Sequence, residues 1–220
     1  MSIISQSVTR AKRIINRLLG RYQEPKRYTQ LFDVIREIRP KTIMEIGTWS
    51  GTRAAAMITL AQELRPGEEI AYYGFDLFED LTPELYAQEI SKHPPTQSEV
   101  QEKLSKTGAR VTLYKGDANK TLPSVAGALP PIDFVFIDGG HSNATIANDW
   151  EYSAKVLADK GVAIFDDYWF DRTDAGCKTT VDALHPDQFN VKIMPIVDIF
   201  NNKDHGRLVI QFARVARRIS

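Results

Sequence analysis

The sequence predicts an α/β domain built on a mostly parallel sheet, and two observations indicate this class. Short apolar runs typical of strands alternate along the chain with longer helical segments, as expected when helices connect parallel strands. The chain has 220 residues, of which 43% are hydrophobic and 25% are charged. That is the composition of one ordinary globular domain rather than of a disordered or fibrous protein.

The predicted strands and helices follow one another in a regular order. Seven apolar runs are predicted strands: 41–47, 70–76, 110–115, 132–138, 161–166, 189–197 and 207–212. We expect the last two to form a closing pair, the final one with alternating polarity. Helices are predicted over 27–38, 52–64 and 143–157, the first ended by Pro40 and the second near Pro66 and Gly67.

Residues 1–25 are predicted to form a basic amphipathic helix that precedes the main domain over 26–220. Its apolar residues alternate with arginines and a lysine. Such a helix either packs on the core or on a second copy of the chain, or lies on a membrane surface. We favour packing, so a homo-oligomer is one expectation.

Residues 79–108 differ from the rest of the pattern. They are polar and contain Pro83, Pro94 and Pro95. The pattern indicates helical pieces around a loop longer than an ordinary connection. We therefore expect a lid over the ligand crevice.

Charge and composition argue against several classes of function. Lys+Arg and Asp+Glu both number 28, so the chain lacks the basic surplus that nucleic-acid binding needs. The single cysteine, Cys177, allows no disulfide within the chain and suits a reducing cytoplasm. No apolar run approaches the roughly 18–20 residues of a spanning helix, and the N-terminus shows no signal-peptide pattern. We expect a cytoplasmic protein without a membrane span.

A glycine-containing loop leaves the first predicted strand and enters a helix. Its residues are Glu45-Ile46-Gly47-Thr48-Trp49-Ser50-Gly51. Two glycines allow a tight turn and a close approach of backbone to a ligand. The dinucleotide fingerprint needs glycine where Trp49 stands, so a nicotinamide cofactor is disfavoured. A plain strand-to-helix turn is the alternative.

Acidic residues follow four successive strands. They are Asp76 and Asp117 after the second and third strands, Asp138 with His141 after the fourth, and Asp166 and Asp167 after the fifth. Because the carboxyl ends of parallel strands meet at one edge of a sheet, we expect these side chains to lie along one crevice. Carboxylates that converge raise each other's pKa or need a cation, and an all-oxygen set suits Mg²⁺ or Ca²⁺.

This series of motifs resembles the S-adenosylmethionine-dependent methyltransferases of the Rossmann-like class. It is most similar to the macrocin and catechol O-methyltransferase branches, in which an aromatic residue replaces the middle glycine of the loop. The resemblance covers roughly residues 28–170. It implies a seven-stranded, mostly parallel sheet with helices on both faces, here with an N-terminal helical extension.

The resemblance also implies a cofactor site. Its predicted residues are Glu45, Gly47, Thr48, Trp49, Gly51, Asp76, Leu77, Asp117 and Ala118. Glu45 would reach the ammonium group of S-adenosylmethionine, directly or through water. Asp76 would accept the ribose hydroxyls, Leu77 would pack on the adenine, and Asp117 would lie near the adenine amine.

The resemblance further implies a magnesium site, with Asp138, Asp166 and Asp167 as ligands. A bound metal would lower the pKa of an acceptor hydroxyl and fix its orientation. His141 is the predicted base, and Asp138 is the second predicted catalytic residue. The alternative is that Asp167 caps a turn, Asp138 serves only the cofactor and no metal binds.

The predicted activity is methyl transfer to a hydroxyl of a small molecule or sugar, assisted by magnesium. One rival is a nicotinamide-dependent oxidoreductase. Another is a non-catalytic assembly module, for which the basic residues Arg214, Arg217 and Arg218 near the C-terminus are support. Fold alone does not decide among them, so the prediction rests on the series of motifs.

Overall fold

The computed structural model describes residues 25–89, 93–202 and 206–218. The predicted N-terminal helix therefore lies, apart from Pro25, outside the described residues. No helix in the described ranges is long and apolar enough to cross a membrane.

Three predicted helices are present, with ends within one residue of those expected. The α-helices of the described residues are α1 (Tyr28–Ile38), α2 (Thr52–Leu64), α3 (Pro83–Gln88), α4 (Gln97–Ser105), α5 (Ala118–Val125), α6 (Asn143–Val156) and α7 (Lys178–Asp182). Capping side chains explain several of these starts. Ser142 caps α6 by accepting the amide of Thr145, and Thr96 forms a capping box with Glu99 at α4.

The strands of the described residues form one sheet. They are β1 (Thr42–Ile46), β2 (Ala71–Asp76), β3 (Arg110–Lys115), β4 (Ile132–Ile137), β5 (Leu157–Trp169), β6 (Phe189–Ile193), β7 (Asp198–Asn202) and β8 (Gly206–Arg217). The order is β3-β2-β1-β4-β5-β8-β6, and β7 pairs with β8. Strands β1 to β5 are parallel, whereas β8 is antiparallel to its neighbours. The predicted fold class is confirmed.

The closing part of the sheet has one strand more than the seven expected. The predicted strand over 189–197 ends at Ile193, because Pro195 has no amide hydrogen for a sheet ladder. The chain then forms β7, which pairs with β8 in register from Asp198↔Ile210 to Asn202↔Gly206.

Two apolar layers cover the two faces of the sheet. One layer contains Leu31 and Ile35 of α1 with Met57 of α2. The other contains Ile146 and Trp150 of α6. Leu31 and Ile35 are four residues apart, the spacing of one helical face. The sequence order reverses where β1 lies between β2 and β4, which opens a crevice at the carboxyl ends of these strands.

The basic residues near the C-terminus have structural contacts. Arg214 pairs with Glu37 of α1 through two hydrogen bonds of 2.6 and 2.8 Å. Arg217 donates to the carbonyl of Leu157 at 3.2 Å. These contacts account for two of the basic residues that supported the assembly-module reading.

The segment predicted as a lid divides into two parts. Helix α4 packs on the core, because Val100 and Leu104 are buried in the layer formed with α1 and α2. In the described residues that precede it, Glu89 and His93 contact the turns at the carboxyl edge of the sheet. A lid function therefore stays a prediction for this earlier part.

We expect Leu104→Ala to lower the free energy of unfolding by about 2–5 kcal/mol, because it leaves a cavity in the core. Chemical denaturation measures this loss. Glu102→Ala on the same helix is the control, since its exposed pair with Lys106 contributes less than about 1 kcal/mol. Equal effects of the two substitutions would show that α4 does not belong to the core.

Candidate active site

The loop after β1 takes a conformation that only glycine permits at its first turn. Gly47 has φ +93°, and a Cβ there would lie 2.0 Å from the carbonyl oxygen of Asp138. Gly51 has φ +66° and precedes the first residue of α2. Trp49 also has a positive φ, 44°, which costs a non-glycine residue about 1–3 kcal/mol.

Asp76 holds this strained loop. Its Oδ2 accepts the amide of Trp49 at 2.6 Å, and its Oδ1 accepts the amide of Phe78 at 2.9 Å. Burial raises the pKa of Asp76 even though these amides oppose the shift. The amide of Leu77 also contributes a hydrogen bond, and a carboxylate offers about four acceptor positions, so one remains for a hydroxyl donor.

Glu45 is a fully buried carboxylate in the middle of the sheet. The hydroxyl of Tyr72 donates to its Oε2, and Thr48 Oγ1 lies 3.2 Å from the same hydroxyl. Burial raises the pKa of Glu45 to about 7. Its Oε1 has no hydrogen-bond partner among the described residues. An unsatisfied buried acceptor costs free energy, so this oxygen suits a cationic ligand group.

Sequence reasoning missed Tyr72, although the pattern held a signal for it. In the register of β1 and β2, Ile43 lies opposite Tyr72 and Glu45 opposite Gly74. Residues two apart share a face of the sheet, so Tyr72 and Glu45 project to the same side. A Cβ on Gly74 would approach the Tyr72 ring to 2.8 Å. Gly74 thus leaves the space that the tyrosine occupies.

The remaining predicted cofactor residues lie along the same edge. Leu77 follows β2, and Asp117 with Ala118 begins α5 after β3. Asp76 and Lys115 are opposite each other in the β2–β3 register, so the two strands end side by side. Asp117 also caps α5, since its Oδ1 accepts the amide of Asn119 at 2.9 Å.

The three predicted metal ligands do converge. Asp138, Asp166 and Asp167 each present an oxygen within 4.8 Å of the others. Asp138 and Asp167 are partly accessible, whereas Asp166 is buried. Two arginines that sequence reasoning missed lie against this cluster. Arg27 pairs with Asp166, and Arg53 pairs with Asp138 at 2.7 Å.

His141 contacts protein groups through both ring nitrogens. Its Nε2 lies 2.9 Å from Oδ2 of Asp167, and its Nδ1 lies 2.5 Å from the carbonyl oxygen of Glu89. Burial alone would lower its pKa, but the charge and hydrogen bond of Asp167 raise the pKa of His141 to about 9. A ring that is already protonated at neutral pH cannot take a proton from substrate. The geometry therefore argues against the predicted base role and favours a positioning role.

Glu89 fixes the turn that carries His141. Its carboxylate accepts the amides of His141 and Ser142 at 2.8 and 2.9 Å and the hydroxyls of Ser142 and Thr145 at 2.9 Å each. The side chain is buried, and it links the segment after α3 to the start of α6. A glutamate in a polar stretch gives no sequence signal for such a role.

Aromatic side chains border the site. Trp49 is 45% exposed, and its indole nitrogen donates to the carbonyl of His93 at 3.1 Å. The ring of Tyr86 stacks on that of His93, and Phe170 is exposed. Trp169, by contrast, is buried and stacks on His141.

A family model described as a methyltransferase domain matches residues 44–168, more than half of the chain. The fold and the site define the class as Rossmann-like S-adenosylmethionine-dependent methyltransferases. The chain belongs to this methyltransferase-domain family. No curated protein sequence matches it significantly.

Solved structures of methyltransferases are similar to the chain in fold. An O-methyltransferase from Bacillus cereus, in complex with SAH, has a TM-score of 0.60 at 16% identity, over 96% of this chain and 89% of that one. TomG from Streptomyces achromogenes, an O-methyltransferase in complex with SAM, has 0.57 at 16% identity, over 85% and 78%. An rRNA methylase from Streptococcus thermophilus has 0.57 at 12% identity, over 90% and 100%.

We expect the imidazole of His141 to titrate near pH 9 in NMR spectra of the folded protein. Asp167→Asn removes the neighbouring negative charge and should lower this pKa toward the ordinary value of about 6.5. If His141 in the unsubstituted protein titrated at or below that ordinary value, the base role would be restored.

Proposed function

We propose that the chain is an O-methyltransferase that uses S-adenosylmethionine to methylate a hydroxyl of a small molecule. The observation that carries the proposal is Oε1 of Glu45, which is buried and has no hydrogen-bond partner among the described residues. It lies beside the glycine-containing loop, whose Trp49 amide donates to Asp76. A carboxylate oriented by Tyr72 suits the cofactor ammonium, and Asp76 suits the ribose hydroxyls.

S-adenosylmethionine supplies an electrophilic methyl group on sulfur when it is bound. The chain must then orient the acceptor oxygen in line and remove its proton. Asp138 is the best-placed group for the proton, because it is partly accessible and its ion pair with Arg53 involves Oδ2. Burial and the charge of Asp166 raise the pKa of Asp138, so its ionised form is a stronger base than an ordinary carboxylate. The charge of Arg53 opposes this rise and favours the ionised form, which is the form that accepts a proton.

The small-molecule class is favoured over RNA by charge. The chain has equal numbers of acidic and basic residues, and three basic groups at the edge of the site pair with acids of the chain. Magnesium assistance stays a prediction from the sequence. The proposed methyl transfer includes no step through a metal. A cytoplasmic location stays a prediction.

Transfer of labelled methyl from S-adenosylmethionine to hydroxylated compounds tests the proposal. We expect methyl ethers among phenol and sugar acceptors, and a loss of about 100-fold or more in kcat for Asp138→Asn. Ribosomal RNA is assayed in parallel. Label found in RNA alone would contradict the proposed acceptor class, and absence of S-adenosylhomocysteine binding would favour the assembly-module alternative.

Affinity for S-adenosylhomocysteine should depend on the ionisation of Glu45. Because the pKa of Glu45 is about 7, its carboxylate gains charge as the pH rises through neutrality, and only the charged form pairs with an ammonium group. We expect calorimetry to show affinity rising about tenfold from about pH 6 to about pH 8.

Two variants separate this effect from general damage. Glu45→Gln should bind weakly with no pH dependence in this range. Tyr72→Phe removes a hydrogen bond that lowers the pKa of Glu45, so the midpoint of the affinity curve should move to higher pH. An unsubstituted protein with a flat profile would rule out the role of Glu45.

A further inference from the structure

The carboxylate cluster after β4 and β5 is already neutralised by side chains of this chain. Arg27, which precedes α1, donates from Nε to Oδ1 of Asp166 and from Nη2 to Oδ2, each at 2.8 Å. Arg53 of α2 donates to Oδ2 of Asp138 at 2.7 Å. His141 lies 2.9 Å from Oδ2 of Asp167. Two arginines and one imidazole thus face three carboxylates.

Asp166 has no acceptor position left for a metal. Besides the two bonds from Arg27, its Oδ1 accepts the amide of Asp167 at 2.6 Å, and its Oδ2 accepts the hydroxyl of Tyr28 at 2.7 Å. A carboxylate offers about four lone-pair positions, and these four bonds use them. A divalent ion could bind Asp166 only after Arg27 or Tyr28 moved away.

Arg27 is buried and Arg53 is partly buried, and both contact other side chains of the protein. Arg27 is 5% exposed, and its Nη1 also pairs with Asp198 of β7 at 3.2 Å. The guanidinium of Arg53 lies 3.7 Å from the centre of the Tyr28 ring. Cation–π contacts of this kind strengthen when water is excluded. Displacing either side chain would break several contacts at once.

The enclosed space beside the cluster has room for about one water molecule. A cavity of about 10 Å³ is lined by the three carboxylates, Gly139, Gly140 and the buried Cys177, with Ile137 and Ile146. That volume is close to that of one water molecule. Mg²⁺ in proteins usually keeps several of its waters. The donor set and the space therefore do not fit the magnesium site that the sequence predicted.

We propose that Arg27 and Arg53 take the electrostatic place of a divalent cation in this cluster, so that the folded protein binds no metal there. The arginines donate hydrogen bonds to Asp166 and Asp138, so these carboxylates have charged partners without a metal ion. A consequence, which rests on the proposed function, is that the acceptor needs no pair of adjacent oxygens to chelate an ion. A single hydroxyl near Asp138 suffices.

Electron paramagnetic resonance with Mn²⁺ tests the proposal on the full chain saturated with S-adenosylhomocysteine. We expect the signal of free Mn²⁺ to remain undiminished by the unsubstituted protein, and its melting temperature to be unchanged by Mg²⁺. Stoichiometric Mn²⁺ binding by the unsubstituted protein would overturn the proposal. This readout requires no methyl transfer, so it stays distinct from failure of the proposed function.

Arg27→Met removes one of the cations and leaves Asp166 buried without its charge partner. We expect the melting temperature to fall by roughly 6–20 °C and to recover in part when Mg²⁺ or Mn²⁺ is added. Arg36→Met on α1 is the matched control, because Arg36 is exposed and its ion pair is with the exposed Asp33.

A second variant keeps the test decisive if Arg27→Met does not fold. Arg53→Met removes the charge partner of Asp138. We expect its melting temperature to fall and to recover in part when divalent cations are added. If neither arginine variant responded to divalent cations in melting temperature while the folded variants were stable, the arginines would not occupy a cation's place and the proposal would be wrong.

Discussion

Carboxylates gathered at the carboxyl edge of the sheet need compensating charge, and the rest of the structure depends on how this is supplied. Each of the three clustered acids has a cationic partner from a different part of the chain. Arg27 comes from the segment before α1, Arg53 from α2, and His141 from the turn after β4. Because a buried charge without a partner costs several kcal/mol, these pairs tie the three segments to the sheet.

The acids of the proposed cofactor site, Glu45 and Asp76, differ from this cluster. They are satisfied only in part by the protein. Asp76 accepts the amides of Trp49 and Phe78 and so stabilises the positive φ of Trp49. Its carboxylate can still accept a further hydrogen bond. Glu45 accepts Tyr72 on one oxygen and leaves the other without a partner among the described residues. The acids after β4 and β5 therefore have basic partners within the chain, whereas Glu45 keeps an oxygen without a partner among the described residues.

The strands and the positions of the acids could be predicted because they depend on local patterns. Apolar runs mark β1 to β5, and parallel strands place Asp76 and Asp138 at one edge whatever the details of packing. The closing strands are harder to predict, because β7 is short, has only Ile199 and Phe200 as apolar residues, and pairs with β8 alone. Pro195 was the visible signal that the strand before it should end.

The partners of the acids could not be predicted, because they come from residues distant in the chain. Arg27 and Asp166 are separated by 139 positions, and Glu89 and His141 by 52. Nothing in a basic residue before a helix, or in a glutamate within a polar stretch, distinguishes a buried partner from a solvated side chain. The same gap applies to His141, whose residue type predicts a base and gives no sign of its contacts with Asp167 and Glu89.

The most direct test of internal charge compensation is anomalous diffraction at the manganese absorption edge from crystals grown with S-adenosylhomocysteine and soaked in Mn²⁺. We expect no anomalous peak among Asp138, Asp166 and Asp167. We also expect electron density for the Arg27 guanidinium next to both oxygens of Asp166. An anomalous peak bonded to these carboxylates, with Arg27 turned away, would contradict internal charge compensation.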